Sequence, residues 1–293
     1  MRFGLFGTGY WAAETQAAAL AAHPDVEFVG VWGRDPAKAA AVARRYGVLA
    51  FGDPDSLLGD VDAVAVALPP DVQAELAERA ARGGRHLLLD KPLALSTEAA
   101  DRVVAAAESA RVASVVFFTN RFQPNVDVFL ADAAERGWDG ARVTIFASIF
   151  QPGSPYANSP WRREKGALWD IGPHALSIVL PVLGPVNAVA AMLGPHDTSH
   201  VLLRHESGAI STLALTLDAP PAATTHDVAF LGAQGEVAVP DGVGTAVEAF
   251  GVAVSQLIGA AAAEVPEHPC DVRFGRDVVA ILEAAQTARE AWT

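Results

Sequence analysis

The first 118 residues alternate between short apolar runs and longer segments that mix polar and apolar positions. Residues 61–68 are almost unbroken apolar sequence of strand length, which indicates a parallel strand buried on both faces. Strands are predicted at 2–6, 26–32, 48–51, 61–68, 86–90 and 114–118. Helices are predicted at 12–22, 36–46, 71–82 and 97–110, with a small element at 56–58. Strands that alternate with helices at this spacing predict a doubly wound parallel sheet.

The pattern changes near residue 120. A further helix is predicted from Phe122 to about Arg136, and longer, alternating strands follow it. Residues 212–217 alternate Thr or Ala with Leu, the period of a half-buried antiparallel strand. Glu206-Ser207-Gly208 is a natural hairpin turn after a strand at 201–205. Further strands are predicted at 142–150, 186–192, 227–231 and 236–239, and an amphipathic helix from Arg273 to Trp292. We therefore predict two domains, a Rossmann domain at 1–119 and a substrate-binding, oligomerising α+β domain at 120–293.

A glycine-rich turn follows the first strand. Its G-x-G-x-x-A pattern, between a strand and a helix, is typical of a dinucleotide site. The first Gly permits the tight turn, the second lets the backbone approach a pyrophosphate, and the Ala permits close helix packing. The candidate cofactor-binding residues here are Gly7, Thr8, Gly9, Tyr10, Trp11 and Ala12. A plain chain reversal is the alternative.

The end of the second strand bears on which dinucleotide is bound. NAD-binding sites place an acidic residue here, but this chain has Gly33 followed by Arg34. Loss of a carboxylate and gain of a guanidinium suit a 2′-phosphate, so the sequence favours NADP over NAD. The alternative is that Arg34 is a solvated loop charge, and Asp35 is interpreted as only a helix cap.

Two further motifs carry candidate chemistry. Asp90-Lys91-Pro92 ends a parallel strand, at the sheet edge where ligands of such folds bind. Asp170 and His174 are four residues apart, so they share a face if the segment is one helix. A histidine among apolar residues is often only a core residue, and these two ligands alone make a weak metal site.

Composition and net charge limit the classes of partner that the chain is expected to bind. The net charge of −13 argues against nucleic acid and anionic membrane surfaces, because both need a basic patch. A single cysteine, Cys270, excludes an intramolecular disulfide and a thiolate metal cluster. No uninterrupted apolar run of about 20 residues is evident, and no secretory leader is recognised, so a cytoplasmic location is expected. Lysine is rare, with only Lys38, Lys91 and Lys165, which hints at a special use for a titratable ammonium.

Together the motifs resemble one family along essentially the whole chain. They are the GTGYWA turn, Leu68-Pro69-Pro70, Asp90-Lys91-Pro92, Asn120-Arg121-Phe122, the segment with Asp170 and His174, and Leu231-Gly232-Ala233-Gln234-Gly235. The chain resembles the Gfo/Idh/MocA oxidoreductases, the superfamily of glucose–fructose oxidoreductase and inositol dehydrogenase. The resemblance implies an NAD(P)-dependent dehydrogenase with a Rossmann domain and an open-faced antiparallel sheet domain.

The resemblance also implies roles for individual residues. Lys91 corresponds to the lysine that hydrogen-bonds the reacting oxygen and the nicotinamide ribose, His174 to the general acid/base, and Asp170 to a substrate ligand. Leu68, Pro69, Asp90 and Asn120 would add cofactor contacts, and Asn120, Trp161 and Arg162 substrate contacts. The substrate would carry a hydroxyl or keto group on a sugar-like or cyclic polyol skeleton.

Several positions depart from the family pattern and leave the substrate and finer cofactor contacts open. Ser177 stands where Asp is frequent, Leu68 where Thr or Asn is, Gln73 where His is, and Asp90 where Glu is commoner. The loop at 151–165 either lines the substrate pocket or simply docks against the fold.

Three rival functions stay open: an imine or conjugated-compound reductase, a cofactor-binding regulatory protein without catalysis, and a metal-dependent lyase or hydrolase. A sheet with one helix-free apolar face would need covering, so a homodimer or homotetramer is expected.

Overall fold

A computed structural model describes residues 1–291 of the chain, which divides into two compact units. The first comprises Met1–Phe122 and Gly244–Val279, and the second comprises Gln123–Val243 and, of the described residues, 280–291. The sequence places its domain boundary near residue 119 and assigns everything after it to the second domain. In the structure, a later stretch of chain also belongs to the first unit.

The first unit is built on a six-stranded parallel sheet with the order β3-β2-β1-β4-β5-β6. The strands are β1 (Arg2–Phe6), β2 (Glu27–Trp32), β3 (Leu49–Phe51), β4 (Ala63–Val66), β5 (His86–Asp90) and β6 (Ser114–Phe117). The helices among them are α1 (Ala17–Ala22), α2 (Pro36–Tyr46), α3 (Pro54–Gly59), α4 (Pro70–Arg82) and α5 (Thr97–Ala110). This order is that of a doubly wound dinucleotide-binding fold, so the predicted parallel architecture is confirmed.

Local sequence signals account for most of these elements. All four residues of β4 are fully buried, as expected of a central strand covered on both faces. Asp35 caps α2 by accepting hydrogen bonds from the amides of Ala37 and Lys38 at 2.9 and 3.2 Å. Ser96 caps α5 through the amide of Ala99 at 3.2 Å. The predicted helix starts at these two caps are therefore confirmed.

The helix after the glycine turn differs from its prediction. The helix begins at Tyr10, before its predicted start, and residues Ala12–Gln16 within it form one π-helical turn before α-helical geometry resumes at Ala17. Thr15, Gln16 and Ala17 are buried in and next to this turn. Such turns are rare and are often found at functional sites.

A helix that the sequence analysis does not predict completes the first unit. α9 (Ala246–Ala262) packs against β5, β6 and α1, and the ring of Phe250 lies 5.0 Å from that of Phe117. Thr245 and Glu248 form a reciprocal capping box at its start.

The second unit contains a six-stranded sheet with the order β12-β11-β7-β10-β9-β8. Its strands are β7 (Gly140–Phe146), β8 (Val186–Gly194), β9 (Thr198–His205), β10 (Ile210–Thr216), β11 (Thr225–Gly232) and β12 (Gly235–Ala238). Its helices are α6 (Pro124–Ala134), α7 (Pro160–Asp170) and α8 (Gly172–Leu183), and α10 (Val272–Glu290) ends in it. The sheet is mostly antiparallel, but β7 and β10 pair in parallel. The Ser207-Gly208 turn joins β9 to β10 as predicted, with Gly208 at φ +90°.

Three predicted elements in this region are corrected. The helix at 122–136 is α6, which starts at Pro124 after a short 3₁₀ turn, Thr119–Phe122, because proline is favoured in a first helical turn. The strand at 142–150 ends at Phe146. The C-terminal helix ends at Glu290, and its last predicted residue, Trp292, lies outside the described residues.

One helical stretch in the described residues, Pro160–Leu183, is long and apolar enough to cross a membrane by length and composition alone. This qualifies the expectation that no such run exists. Because 83% of its most apolar window is buried inside the fold, the stretch serves as core packing here.

Candidate functional site

The glycine turn after β1 is shaped by contacts that tolerate no side chain. Gly7 has φ +141°, its amide donates to the carbonyl oxygen of Trp32 at 2.9 Å, and a Cβ there would lie 2.5 Å from the carbonyl oxygen of Ala67. Ala12 is fully buried, so a larger residue would separate the helix from the sheet. The predicted reasons for the first glycine and the alanine are thus met by the geometry.

The second glycine is different, because a Cβ on Gly9 would meet nothing within 4 Å. The turn therefore leaves open space beside its backbone, which suits the approach of a phosphate group. Tyr10 is 57% exposed beside it. The indole Nε1 of Trp11 is buried and has no hydrogen-bond partner among residues 1–291. A buried donor without a partner is unusual in a folded protein, and a bound ligand would explain it.

The end of β2 has no room for the acidic residue of NAD-specific sites. A Cβ on Gly33 would lie 2.5 Å from Cγ2 of Thr8, so the Thr8 side chain fills that space. Arg34 is exposed next to it, and Asp35 is engaged in the α2 cap. The interpretation of Asp35 as a helix cap is confirmed.

The remaining candidates of the first unit follow neighbouring strands. Leu68 and Pro69 come after β4, Asp90 ends β5 and Lys91 follows it, and Asn120 lies in the 3₁₀ turn after β6; all are half-buried. Because parallel strands end at the same edge of a sheet, these residues share one edge with the glycine turn and Arg34. The Lys91–Pro92 peptide bond is cis, and the Asp90 carboxylate accepts from the Lys91 amide at 2.8 Å.

In the second unit, the condition under which Asp170 and His174 would share a helical face, one continuous helix, is not met. Asp170 is the last residue of α7, and His174 lies in the first turn of α8, with Ile171 between the helices. The Gly172-Pro173 dipeptide explains the break, because proline starts a helix and its ring cannot continue the preceding one. The spacing of four therefore does not place the two side chains on one helical face.

Asp170 is 8% exposed and accepts a hydrogen bond from Nε of Arg162 at 2.9 Å. His174 is half-buried. The hydroxyl of the buried Ser177 donates to the carbonyl oxygen of His174 at 2.8 Å, so this departure from the family pattern supports the backbone of the histidine's own helical turn.

The loop at 151–165 is held by its arginines. The Arg162 guanidinium lies 4.3 Å from the centre of the Tyr156 ring and 5.0 Å from that of Trp161. Arg163 lies 4.2 Å from the Phe150 ring and donates to the carbonyl oxygen of Ala157. Docking of the loop thus accounts for Arg163, while Tyr156 and Trp161 flank Arg162, the partner of Asp170.

Sequence analysis missed one acidic side chain beside this region. Gly166 has φ +68°, and a Cβ on it would lie 2.2 Å from a carboxylate oxygen of Asp197. Much of Asp197 is exposed, but burial of its carboxyl end raises its pKa, and Asp218 adds to the rise while Arg289 opposes it. Only Gly166 itself, inside a helical segment, signals this contact in the sequence.

Metal binding gains no support within the described part of the chain, since residues 1–291 contain no group of three His, Cys, Asp or Glu side chains positioned to hold an ion.

Comparison with known proteins identifies relatives of both halves of the chain. Residues 1–118 match an oxidoreductase family with an NAD-binding Rossmann fold, GFO_IDH_MocA, and residues 128–238 match the GFO/IDH/MocA C-terminal domain. A dTDP-3,4-didehydro-2,6-dideoxy-alpha-D-glucose 3-reductase of Streptomyces antibioticus is 32% identical over 229 residues, which span 74% of this chain and 70% of the relative. An inositol 2-dehydrogenase of Rhizobium meliloti is 28% identical over 221 residues, 71% of this chain and 66% of the relative.

Solved structures agree on the fold. The UDP-N-acetylglucosamine 3-dehydrogenase GnnA from Acidithiobacillus ferrooxidans superposes with a TM-score of 0.85 at 22% identity, and the match covers 100% of this chain and 98% of that one. The family matches and the 32% identity show more than the fold. The chain belongs to the GFO/IDH/MocA family of oxidoreductases and is an NAD(P)-dependent dehydrogenase.

Proposed function

We propose that the chain is an NADP-preferring oxidoreductase that transfers a hydride between the cofactor and a hydroxyl or keto carbon of a sugar-like or cyclic polyol substrate. The observation that carries this proposal is the sheet edge where the glycine turn, Arg34, Lys91 and Asn120 follow successive strands of one parallel sheet. The sugar-acting names of the relatives support the substrate class.

The chain's own groups fit the cofactor. The open space at Gly9 and the buried indole donor of Trp11 suit the pyrophosphate, with Thr8 and Tyr10 beside it. Arg34 would hold the 2′-phosphate, because Gly33 presents no carboxylate to repel it. Leu68, Pro69, Asp90 and Asn120 would contact the nicotinamide half. The bound dinucleotide supplies the hydride acceptor or donor.

Two side chains would act on the reacting oxygen of the substrate, and a third would bind a hydroxyl next to it. When a hydroxyl is oxidised, the imidazole of His174 accepts its proton, and in the reverse direction it returns that proton to the oxygen. The Lys91 ammonium donates a hydrogen bond to the same oxygen and stabilises the negative charge that develops on it. Asp170, with Arg162 as its partner, would bind a neighbouring hydroxyl, and Trp161 would offer an apolar face to the ring.

The test is turnover of a panel of sugars and inositols with NADP⁺ and with NAD⁺, for the wild type and for His174→Gln. We expect the variant to lose about 100- to 10,000-fold in kcat, the usual contribution of a positioned acid/base, while NADPH still binds in a fluorescence titration. His226→Gln, an exposed histidine on β11, is the matched control. Unchanged turnover in His174→Gln would overturn the role of His174. Cofactor binding without turnover of any panel member would favour the imine reductase or the regulatory protein.

We also propose a homodimer or homotetramer in which a second copy covers the helix-free face of the second unit's sheet. α7 and α8 pack on one face of this sheet. On the other face Met192, Leu202 and Ile210 are 55%, 52% and 42% exposed. Exposed apolar side chains on a helix-free sheet face favour burial against a second copy. The cytoplasmic location expected from the sequence stays a prediction.

A further inference from the structure

Gln73, in the first turns of α4, is a buried amide that contacts the lysine loop. Only 1% of its surface is exposed. Its Oε1 accepts from the Asp90 amide at 2.9 Å, and its Nε2 donates to the carbonyl oxygens of Asp90 at 2.7 Å and Pro92 at 3.0 Å. An amide side chain offers a donor and an acceptor together, so one residue satisfies backbone groups on both sides of Lys91.

A second glutamine reaches the same loop from the glycine-turn helix. Gln16 is fully buried in the π-helical turn, and its Nε2 donates to the Asp90 carboxylate at 3.3 Å. The other carboxylate oxygen accepts from the Lys91 amide at 2.8 Å. Asp90 therefore ties the backbone of Lys91 to the helix that follows the glycine turn.

We propose that Gln73 is a positioning residue for Lys91, assisted by Gln16 through Asp90. Gln73 forms hydrogen bonds to the backbone on both sides of Lys91, so it fixes the backbone position from which the Lys91 side chain extends. Loss of the amide would leave buried carbonyl and amide groups without partners, and the loop would move to satisfy them. The inference rests on the proposed function, in which Lys91 contacts the reacting oxygen, but the position of the lysine can be measured separately.

The chain has only three lysines, which makes that measurement direct. Reductive methylation with ¹³C-formaldehyde gives one dimethylamine NMR signal for each of Lys38, Lys91 and Lys165, plus the N-terminal amine. Lysine-to-arginine variants assign the signals. In Gln73→Leu we expect the Lys91 signal to move or broaden, with and without NADPH, while the Lys38 and Lys165 signals stay in place. Gln73→His keeps one donor and one acceptor and should restore the wild-type signal.

Two variants complete the design. Gln256→Leu is the matched control, because this amide of α9 bonds to His268 instead of the lysine loop. Gln16→Met removes the second amide at similar length, and it replaces Gln73→Leu should that protein fail to fold. A Lys91 signal that stays at its wild-type position in Gln73→Leu or, in its place, in Gln16→Met would overturn the inference.

Kinetics with a substrate from the panel separate this inference from the proposed function. Misplacement of a catalytic group by about 1 Å can cost roughly 100-fold, so Gln73→Leu should lower kcat by about 10- to 100-fold. In a Lys91→Met background the same change should have almost no further effect, because the two residues act as a unit. Effects that multiply independently would contradict positioning. An unchanged kcat in Lys91→Met alone would instead refute the proposed role of the lysine.

Discussion

In the proposed function, the preference for NADP depends on Arg34. A charge-assisted bond to a 2′-phosphate contributes about 1.5–3 kcal/mol, so Arg34→Ala should weaken NADPH binding by roughly 10- to 150-fold. NADH, which has a hydroxyl at that position, should bind almost as before. Fluorescence titrations of the wild type and Arg34→Ala with both cofactors measure this. An NADPH affinity that stays at the wild-type value would show that Arg34 is only a solvated loop charge, and equal losses for NADPH and NADH would show that it does not contact the 2′-phosphate.

Thr8 should limit how easily the proposed preference can be reversed. The Thr8 methyl group occupies the place that a side chain at position 33 needs. Gly33→Asp alone should therefore bind both cofactors poorly, whereas Thr8→Gly/Gly33→Asp should gain affinity for NADH relative to NADPH. The ratio of the two dissociation constants is the readout, and strong NADH binding by the single variant would contradict the steric argument.

At this scale the sequence predicts best where one residue meets one local requirement. Gly7 and Asp35 were identified from the motif alone, since a turn or a cap needs little beyond its neighbours. Gln73 was noted only as a departure from a pattern. Its partners, Asp90 and Pro92, lie 17 and 19 residues further along the chain. The sequence around Gln73 contains no signal for a contact at that separation.

Among the elements, the end of β9 contains a histidine that should make stability depend on pH. His205 is fully buried, with Nδ1 2.8 Å from the carbonyl oxygen of Gly184 and Nε2 2.7 Å from the Ser211 hydroxyl, and burial lowers its pKa below 6.5. The unfolded chain then binds a proton first as pH falls. This contribution to stability is complete above about pH 6.5 and is lost as pH falls toward the lower folded pKa.

Urea unfolding at pH 7.5 and 5.5 checks the effect. The wild type should lose more free energy of unfolding between the two pH values than His205→Asn does. His226→Asn, at an exposed site, is the control and should keep the wild-type difference. His86 should contribute to the pH dependence of stability in the same way, because burial also lowers its pKa. Its Nδ1 accepts a hydrogen bond from the Ala113 amide. A wild-type pH difference in His205→Asn would show that its burial is not coupled to protonation.

The kink in α7 gives a second prediction for an element. Gly166 has φ +68° and ψ −167°, a backbone region almost restricted to glycine, and it faces the Asp197 carboxylate. Gly166→Ala should destabilise the fold by roughly 1–3 kcal/mol from backbone strain, with a clash in addition. Gly166→Ala/Asp197→Ala should recover only the clash.

Thermal or urea unfolding measures these differences. Gly251 in α9 provides the matched control, because a Cβ there meets nothing within 4 Å, and Gly251→Ala should be neutral or stabilise by up to about 1 kcal/mol. A neutral Gly166→Ala would mean that the helix can straighten without cost.

Three features of the elements are missing from the prediction, each for its own physical reason. α9 is apolar on nearly every side, so it has no amphipathic period, although its Thr245-x-x-Glu248 capping box marked its start. Gly172-Pro173 is a sequence signal for the break at Ile171, but the four-residue spacing of Asp170 and His174 favours one helix. The parallel pairing of β7 and β10 joins strands far apart in sequence, and periodicity alone cannot specify such a partner.

For the whole molecule, the exposed sheet face predicts assembly. Ala190, Leu202 and Thr212 lie side by side across β8, β9 and β10, so a charge at the middle position would disturb any symmetric contact there. Size-exclusion chromatography with light scattering should give two or four times the chain mass for the wild type and one for Leu202→Arg. Val128→Arg, at a residue of α6 that is 70% exposed, is the control and should remain assembled. A monomeric wild type would refute the proposal.

The return of residues 244–279 to the first unit has a consequence for how the protein is made. Phe117 of β6 packs on Phe250, which leaves the ribosome about 130 residues later. At a synthesis rate of 5–20 residues per second, α9 is made roughly 7–26 s after the last strand of the sheet. During that interval the apolar surface of its uncovered strands is exposed, and we expect chaperones to bind it. A gene cut after residue 122 should yield a polypeptide that binds hydrophobic dyes and precipitates, and co-expression of the 244–279 segment should partly rescue its yield.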